Sequence, residues 1–223
     1  MNIKISADST CDLSPELITQ YGVGITPLYI IDGDQSWQDG VDIHPEDLYE
    51  HVRKTGKLYQ TAAVNVSDYV SFFGEQLKTH DAVIHFTISS DMSGCYQNAC
   101  IAAKEFPGKV FPVDARNLST GIGHLVLDAC LLAEEGWSAE DIQAEMDKRK
   151  KKLDVSFVLS TLEYLRRGGR CTTVAALGAN LLKLHPCINV VNGKMGVGKK
   201  YRGNIKKCYI QYIEDRLKGR DDI

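Results

Sequence analysis

The residues of this chain best suited to chemistry lie in one stretch, Ser89-Ser90-Asp91-Met92-Ser93-Gly94-Cys95-Tyr96-Gln97. It follows directly on the apolar run Ala82-Val83-Ile84-His85-Phe86-Thr87-Ile88. The pattern predicts a buried strand over 82–88, then hydroxyls, then a helix beginning at or near Ser93. The first N–H groups of a helix lack internal partners and its dipole favours negative charge, so such a turn can receive an anionic oxygen group. The plainer reading is a serine N-cap and nothing more.

Further hydroxyls stand at predicted element ends: Ser9 and Thr10, Thr61, and Ser89 with Ser90. Ligands of open α/β sheets bind outside the carboxyl ends of the strands, where these clusters would line a crevice. Hydroxyls and free N–H groups can hold a carboxylate or phosphate without chemistry. No base is paired by spacing with any of them, which favours a binder over a hydrolytic enzyme. The alternative, from another class, is a small enzyme using Ser93 or Cys11 as nucleophile on an acyl or phosphoryl substrate.

Several chemistries lack their residues. Gly193-Lys194-Met195-Gly196-Val197-Gly198-Lys199-Lys200 nearly matches a P-loop, but Lys200 stands where a hydroxyl must meet Mg²⁺. No G-x-G-x-x-G follows the first strand, and neither H-E-x-x-H nor G-x-S-x-G occurs. Seven cysteines, an odd number scattered without C-x-x-C spacing, argue against zinc and against a disulfide framework, and fit a reducing cytoplasm. A net charge of −3 offers no footprint for nucleic acid, and no apolar run is long enough for membrane insertion. The run Lys148 to Lys152 reads as a solvated helix end.

The elements that must position these residues follow from caps and periodicity. A strand opens at Ile3, and Ser14-Pro15-Glu16 reads as the start of a helix. Val23 to Ile31 reads as one extended run, Pro45 starts a helix to about Lys54, and Ser67 caps another with an apolar stripe through Tyr69 and Phe73. Helix 93–105, strand 109–113, helix 119–135 and a helix capped by Ser138 complete a βαβ rhythm with a largely parallel sheet. After about residue 154 the rhythm changes. A strand at 155–159, a short helix stopped at Gly168-Gly169, a helix over 173–182 and a hairpin about Asn192-Gly193 are followed by a helix from Ile205 to Leu217. The Arg166-Arg167-Gly168-Gly169-Arg170 stretch places guanidinium groups beside a flexible turn, either as ordinary helix-end charges or for a phosphate or partner.

Five segments, in order, resemble the DegV family. Ala7-Asp8-Ser9-Thr10-Cys11-Asp12-Leu13 resembles its opening D-S-T-x-D-L, and Gln60-Thr61-Ala62-Ala63-Val64-Asn65 stands at its T-S/A-x-P/V motif. Ser89 to Gln97 is similar to S-S-x-L-S-G-T-Y-Q, and Leu162 to Arg170 to L-x-Y-L-x-x-G-G-R. Lys199-Lys200-Tyr201-Arg202-Gly203 resembles the K-x-R-G stretch. The resemblance implies an α/β protein of two domains. One is a Rossmann-like α/β/α domain (1–153) with a mainly parallel sheet; the other (154–223) has a mixed or antiparallel sheet and is incomplete at its C-terminus.

The resemblance also implies a function. A long-chain fatty acid would lie between the domains and be presented, without catalysis by this chain, to a separate ATP-binding subunit of bacterial fatty acid kinase. The product would be an acyl phosphate for phospholipid metabolism. Thr61 and Ser93 would hold the carboxylate with the backbone near Gly94, and Ser9, Thr10 and Ser90 would line the site. Arg167, Arg170 and Arg202 would dock the kinase or steer phosphate, with no metal and no cofactor beyond the bound acid. This chain lacks the Ser and Pro often found after the Thr of the second motif, carrying Ala62 and Val64 there, and Cys95 replaces the usual Thr. It also lacks a His-x-Gly-Pro stretch whose histidine helps hold the head group, and His185-Pro186 lies in the wrong segment to replace it.

Overall fold

The computed structural model describes residues 1–175 and 184–220. The chain divides into two compact units, Met1–Leu153 and Asp154–Ile223.

In the first unit β1 (Ile3–Asp8) leads through a 3-10 turn (Ser9–Cys11) and α1 (Pro15–Gln20) to β2 (Gly24–Thr26). A small excursion follows: β3 (Tyr29–Asp32), β4 (Gln35–Gln38), α2 (Pro45–Thr55) and β5 (Gln60–Ala62). The βαβ rhythm resumes with α3 (Val66–Gln76), β6 (Ala82–Thr87), α4 (Cys95–Ala103), β7 (Val110–Asp114), α5 (Thr120–Glu134) and α6 (Ala139–Arg149).

The main sheet has the order β2-β1-β6-β7, every pair parallel. All six residues of β6 are buried, because helices cover both faces. Alternation along β6 sends Ile84 and Phe86 into a core with Ile122, Leu125, Ile142 and Met146 of α5 and α6. Val83 turns the other way, toward Tyr69 and Phe73 of α3 and Cys95 and Ala99 of α4. The direction of winding reverses between β1 and β6, so the crevice at their carboxyl ends is the topological switch point of the sheet.

Three local expectations are corrected. Val23 to Ile31 is not one strand. Pro27 removes a ladder donor, so β2 stays in the parallel sheet while β3 forms a separate antiparallel sheet, β4-β3-β5. Helix α3 is capped by Asn65, not Ser67: the Asn65 side chain accepts the Asp68 amide at 2.9 Å, and Ser67 donates to Asn65 Oδ1. Helix α4 starts at Cys95 after an N-capping Gly94, because Ser93 Oγ accepts the Cys95 amide instead of one a turn further on. Ser14 and Ser138 cap α1 and α6 through the Leu17 and Asp141 amides.

The second unit holds β8 (Val155–Val158), α7 (Glu163–Gly168), α8 (Thr172–Ala175), β9 (Leu184–Val191), β10 (Lys194–Arg202) and α9 (Ile205–Leu217). Its sheet, β10-β9-β8, is antiparallel. Asn192 and Gly193 both have positive φ, 51° and 82°, as a two-residue hairpin turn needs. The hairpin strands are longer than expected, with a register shift between Val197 and Lys200. The helix expected over 173–182 is described only as α8, and its remainder lies outside the described residues. Among the described residues no helix is long and apolar enough to cross a membrane.

Candidate functional site

The carboxyl edge of the parallel sheet is organised by a carboxylate that sequence reasoning did not select, Asp8. It ends β1 fully buried. Its Oδ1 accepts the Tyr69 hydroxyl at 2.6 Å, the Thr26 hydroxyl at 3.2 Å and lies 3.2 Å from His85 Nε2; its Oδ2 accepts the Ile88 amide at 3.1 Å. His85 Nδ1 lies 3.0 Å from Ser6 Oγ, and its ring sits among Tyr69, Phe72 and Phe73. A buried charge persists only when it is bonded on several sides, and Asp8 is. The network ties α3 and β2 to the ends of β1 and β6. The signal for it in the sequence was His85, a titratable residue inside an otherwise apolar strand.

The turn after β6 is built on this frame. The Ser89 amide donates to the Asn117 carbonyl at 3.0 Å, and the Met92 and Ser93 amides return to the Ser89 carbonyl. Ser90 is held at the edge: its hydroxyl donates to Asp114 Oδ2 at 2.6 Å and accepts from Arg116 Nη1 at 3.1 Å. Arg116 also pairs with Asp91 at 2.5 Å. Ser9 is likewise occupied, donating to Asp39 Oδ2 at 2.7 Å and accepting the Leu28 amide at 3.2 Å. These two serines are bonded within the loops, whereas the buried Thr10 hydroxyl has no hydrogen-bond partner among the described residues.

Ser93 is half-buried and Gly94 exposed at the start of α4. The first hydrogen bond closing the helix runs from the Asn98 amide to the Gly94 carbonyl at 3.0 Å, so the amides of Tyr96 and Gln97 precede the first intrahelical bond. The segment after β5 lies against this end. A Cβ on Gly94 would sit 3.9 Å from the Ala63 methyl, and Asn98 Nδ2 donates to the Val64 carbonyl at 2.8 Å. Thr61, two residues before Ala63, is exposed and pairs with Ile30 across β3. The structure thus draws the Thr61 segment, Ser93 and Gly94 toward one helix N-terminus.

Of the four non-glycine residues with positive φ among the described residues, three (Asp12, Arg116 and Ser119) lie in loops leaving β1 and β7. Such backbone conformations are held only where surrounding structure over-determines them, and they concentrate at binding edges. Gly123 of α5 explains how the β1 loop is held: a Cβ there would lie 2.8 Å from the Cys11 carbonyl oxygen.

The nucleophile readings find no support in this geometry. The side-chain bonds of Ser93 are with Cys95, not with a base. Cys11 is 1% exposed, and burial pushes its thiol up, away from the thiolate that attack requires. The guanidinium candidates are in the second unit. Arg167 donates to Glu163 at 3.3 Å, Arg170 donates to the Gly168 carbonyl at 2.8 Å, and Arg202 is exposed at the end of β10.

A doubly wound parallel sheet with a hydroxyl-bearing helix N-terminus at its switch point defines an α/β protein of two units. A family model described as "Uncharacterised protein, DegV family" matches residues 2–221. A DegV domain-containing protein of Clostridium perfringens is 35% identical, covering 92% of this chain and 74% of that protein. The chain belongs to the DegV family. It is similar to a solved DegV family protein of Thermus thermophilus described for fatty acid binding, with 33% identity and a TM-score of 0.88 over 99% of this chain and 79% of that one. It is also similar to a fatty acid-binding protein of Thermotoga maritima, 30% identical over 96% of this chain and 76% of that protein.

Proposed function

We propose that this chain binds a long-chain fatty acid, with the carboxylate at the N-terminus of α4 between Ser93 and the Thr61 segment. The observation that carries the reading is the convergence of that segment, Ser93 and Gly94 on one helix N-terminus, in a chain whose relatives are described as fatty-acid binders. A carboxylate there accepts hydroxyl protons and first-turn amides and lies in the favourable field of the helix dipole. The unpartnered Thr10 hydroxyl supports a contribution from the β1 loop, with Ser9 and Ser90 as rim supports.

The chain carries its ligand without transforming it. A separate ATP-binding kinase subunit phosphorylates the carboxylate, and Arg167, Arg170 and Arg202 are the residues we assign to docking or phosphate steering; all three are exposed. Seven unpaired cysteines support a cytoplasmic setting.

Native mass spectrometry of the protein expressed in bacteria, followed by lipid extraction, tests the binding. One equivalent of fatty acid is expected, either copurified or regained from oleate after delipidation. A protein that stays unliganded with both oleate and palmitate overturns the proposal. The kinase role is tested by acyl phosphate formation with the kinase subunit and ATP present, which Arg202→Glu should reduce without altering oleate binding.

A further inference from the structure

We infer that the buried Cys95 sets the rotamer of Ser93 and is a positioning residue for the ligand head group. The inference rests on the carboxylate site proposed above and extends it to a residue that does not touch the ligand.

The contacts run in sequence from the centre of the unit to its edge. Tyr69 donates to Asp8 at 2.6 Å and packs in the same buried cluster as Cys95. Ser93 donates its hydroxyl to Cys95 Sγ at 3.2 Å, and the Cys95 amide donates to Ser93 Oγ at 3.3 Å. Asp8, Tyr69 and Cys95 are each fully buried, while Ser93 is the first member that reaches solvent. The two bonds with residue 95 hold Ser93 Oγ at the start of α4, beside the first-turn amides. Burial and the nearby Asp8 charge push the Cys95 thiol up to about 11, so the sulfur is neutral at physiological pH.

The choice of sulfur matters. A neutral thiol is a weak acceptor, whereas a carboxylate oxygen is a strong one. Ser93 is therefore held in place by a bond its proton gives up readily when a carboxylate arrives. Cys95 orients the hydroxyl without competing for it.

The test compares delipidated protein binding oleate and methyl oleate, because a merely structural change weakens both alike. Ser93→Ala should lower the preference for the acid about tenfold, the loss of one charge-assisted hydrogen bond. Cys95→Ala should lower it in the same direction, the double variant should fall no further than Ser93→Ala, and Cys95→Ser should restore it. A Cys95→Ala protein with undiminished preference, or an effect that adds in full to that of Ser93→Ala, overturns the inference and leaves the carboxylate site standing. A wild-type protein with no preference for the acid removes the site and the inference together. If Cys95→Ala does not fold, Cys95→Val fills the same space and removes the sulfur; an unchanged preference in that variant also overturns the inference. A ligand-free readout is the infrared S–H stretch of Cys95, identified by difference against Cys95→Ser. It should shift in Ser93→Ala, and a band that stays fixed contradicts the contact.

Discussion

The Asp8 carboxylate and the Tyr69 hydroxyl lie 2.6 Å apart, fully buried, in segments 61 residues apart in the chain. The pair joins the end of β1 to α3, and through the Ile88 amide it holds the start of the turn after β6. Burial, and after it the Asp8 charge, raises the Tyr69 phenol, so it stays a proton donor to the carboxylate.

Asp8→Ala leaves Tyr69, Thr26, His85 and the Ile88 amide without their shared acceptor. Breaking a buried charged network from one side costs about 3–5 kcal/mol. Urea denaturation should show a loss of that order, whereas Asp81→Ala, at an exposed residue, should change stability far less. A loss below about 1 kcal/mol would mean the network is dispensable.

Stability should fall in alkali through the buried thiols. Cys95 is raised from its ordinary 9.0 to about 11 and Cys130 to about 12, in both cases first by burial. Because the folded values are raised, their contribution is complete below 9.0 and is lost as pH rises through about 11 and about 12. Urea midpoints across that interval should decline, less steeply in Cys95→Ala. At neutral pH iodoacetamide should spare Cys11 and Cys95 in the folded protein and modify both in urea.

Gly123→Ala should destabilise the protein, although alanine is the better helix former by about 1 kcal/mol. The new Cβ would meet the Cys11 carbonyl at 2.8 Å and Leu13 Cδ2 at 3.1 Å, so α5 must move from the β1 loop. Such overpacking costs about 1–3 kcal/mol. Thermal unfolding checks the sign, and a gain in midpoint would show that the loop yields freely.

Thr61→Val keeps the shape of an exposed residue on β5 and removes only its hydroxyl. Oleate affinity should fall about tenfold, as for one hydrogen bond to a charged group, with little change in unfolding midpoint. Equal affinity for oleate in variant and parent would exclude Thr61 from the head-group site.

Much of this protein was legible in local pattern. The apolar run of β6 announced a buried strand, Ser14-Pro15 and Ser138 marked helix starts, and α9 spans Ile205–Leu217 as its pattern predicts. Such features depend on neighbours within a few residues, which a sequence states directly. Only the tertiary structure decided that Pro27 divides two sheets, that Ser9 and Ser90 are bonded within the loops, and that Asp8 gathers Thr26, Tyr69 and His85. Parallel pairing of β1 with β6 brings residues 77 apart within 3.2 Å, and strand alternation turns them to the same face. That meeting depends on register and on which helix covers which face, and no local pattern encodes either.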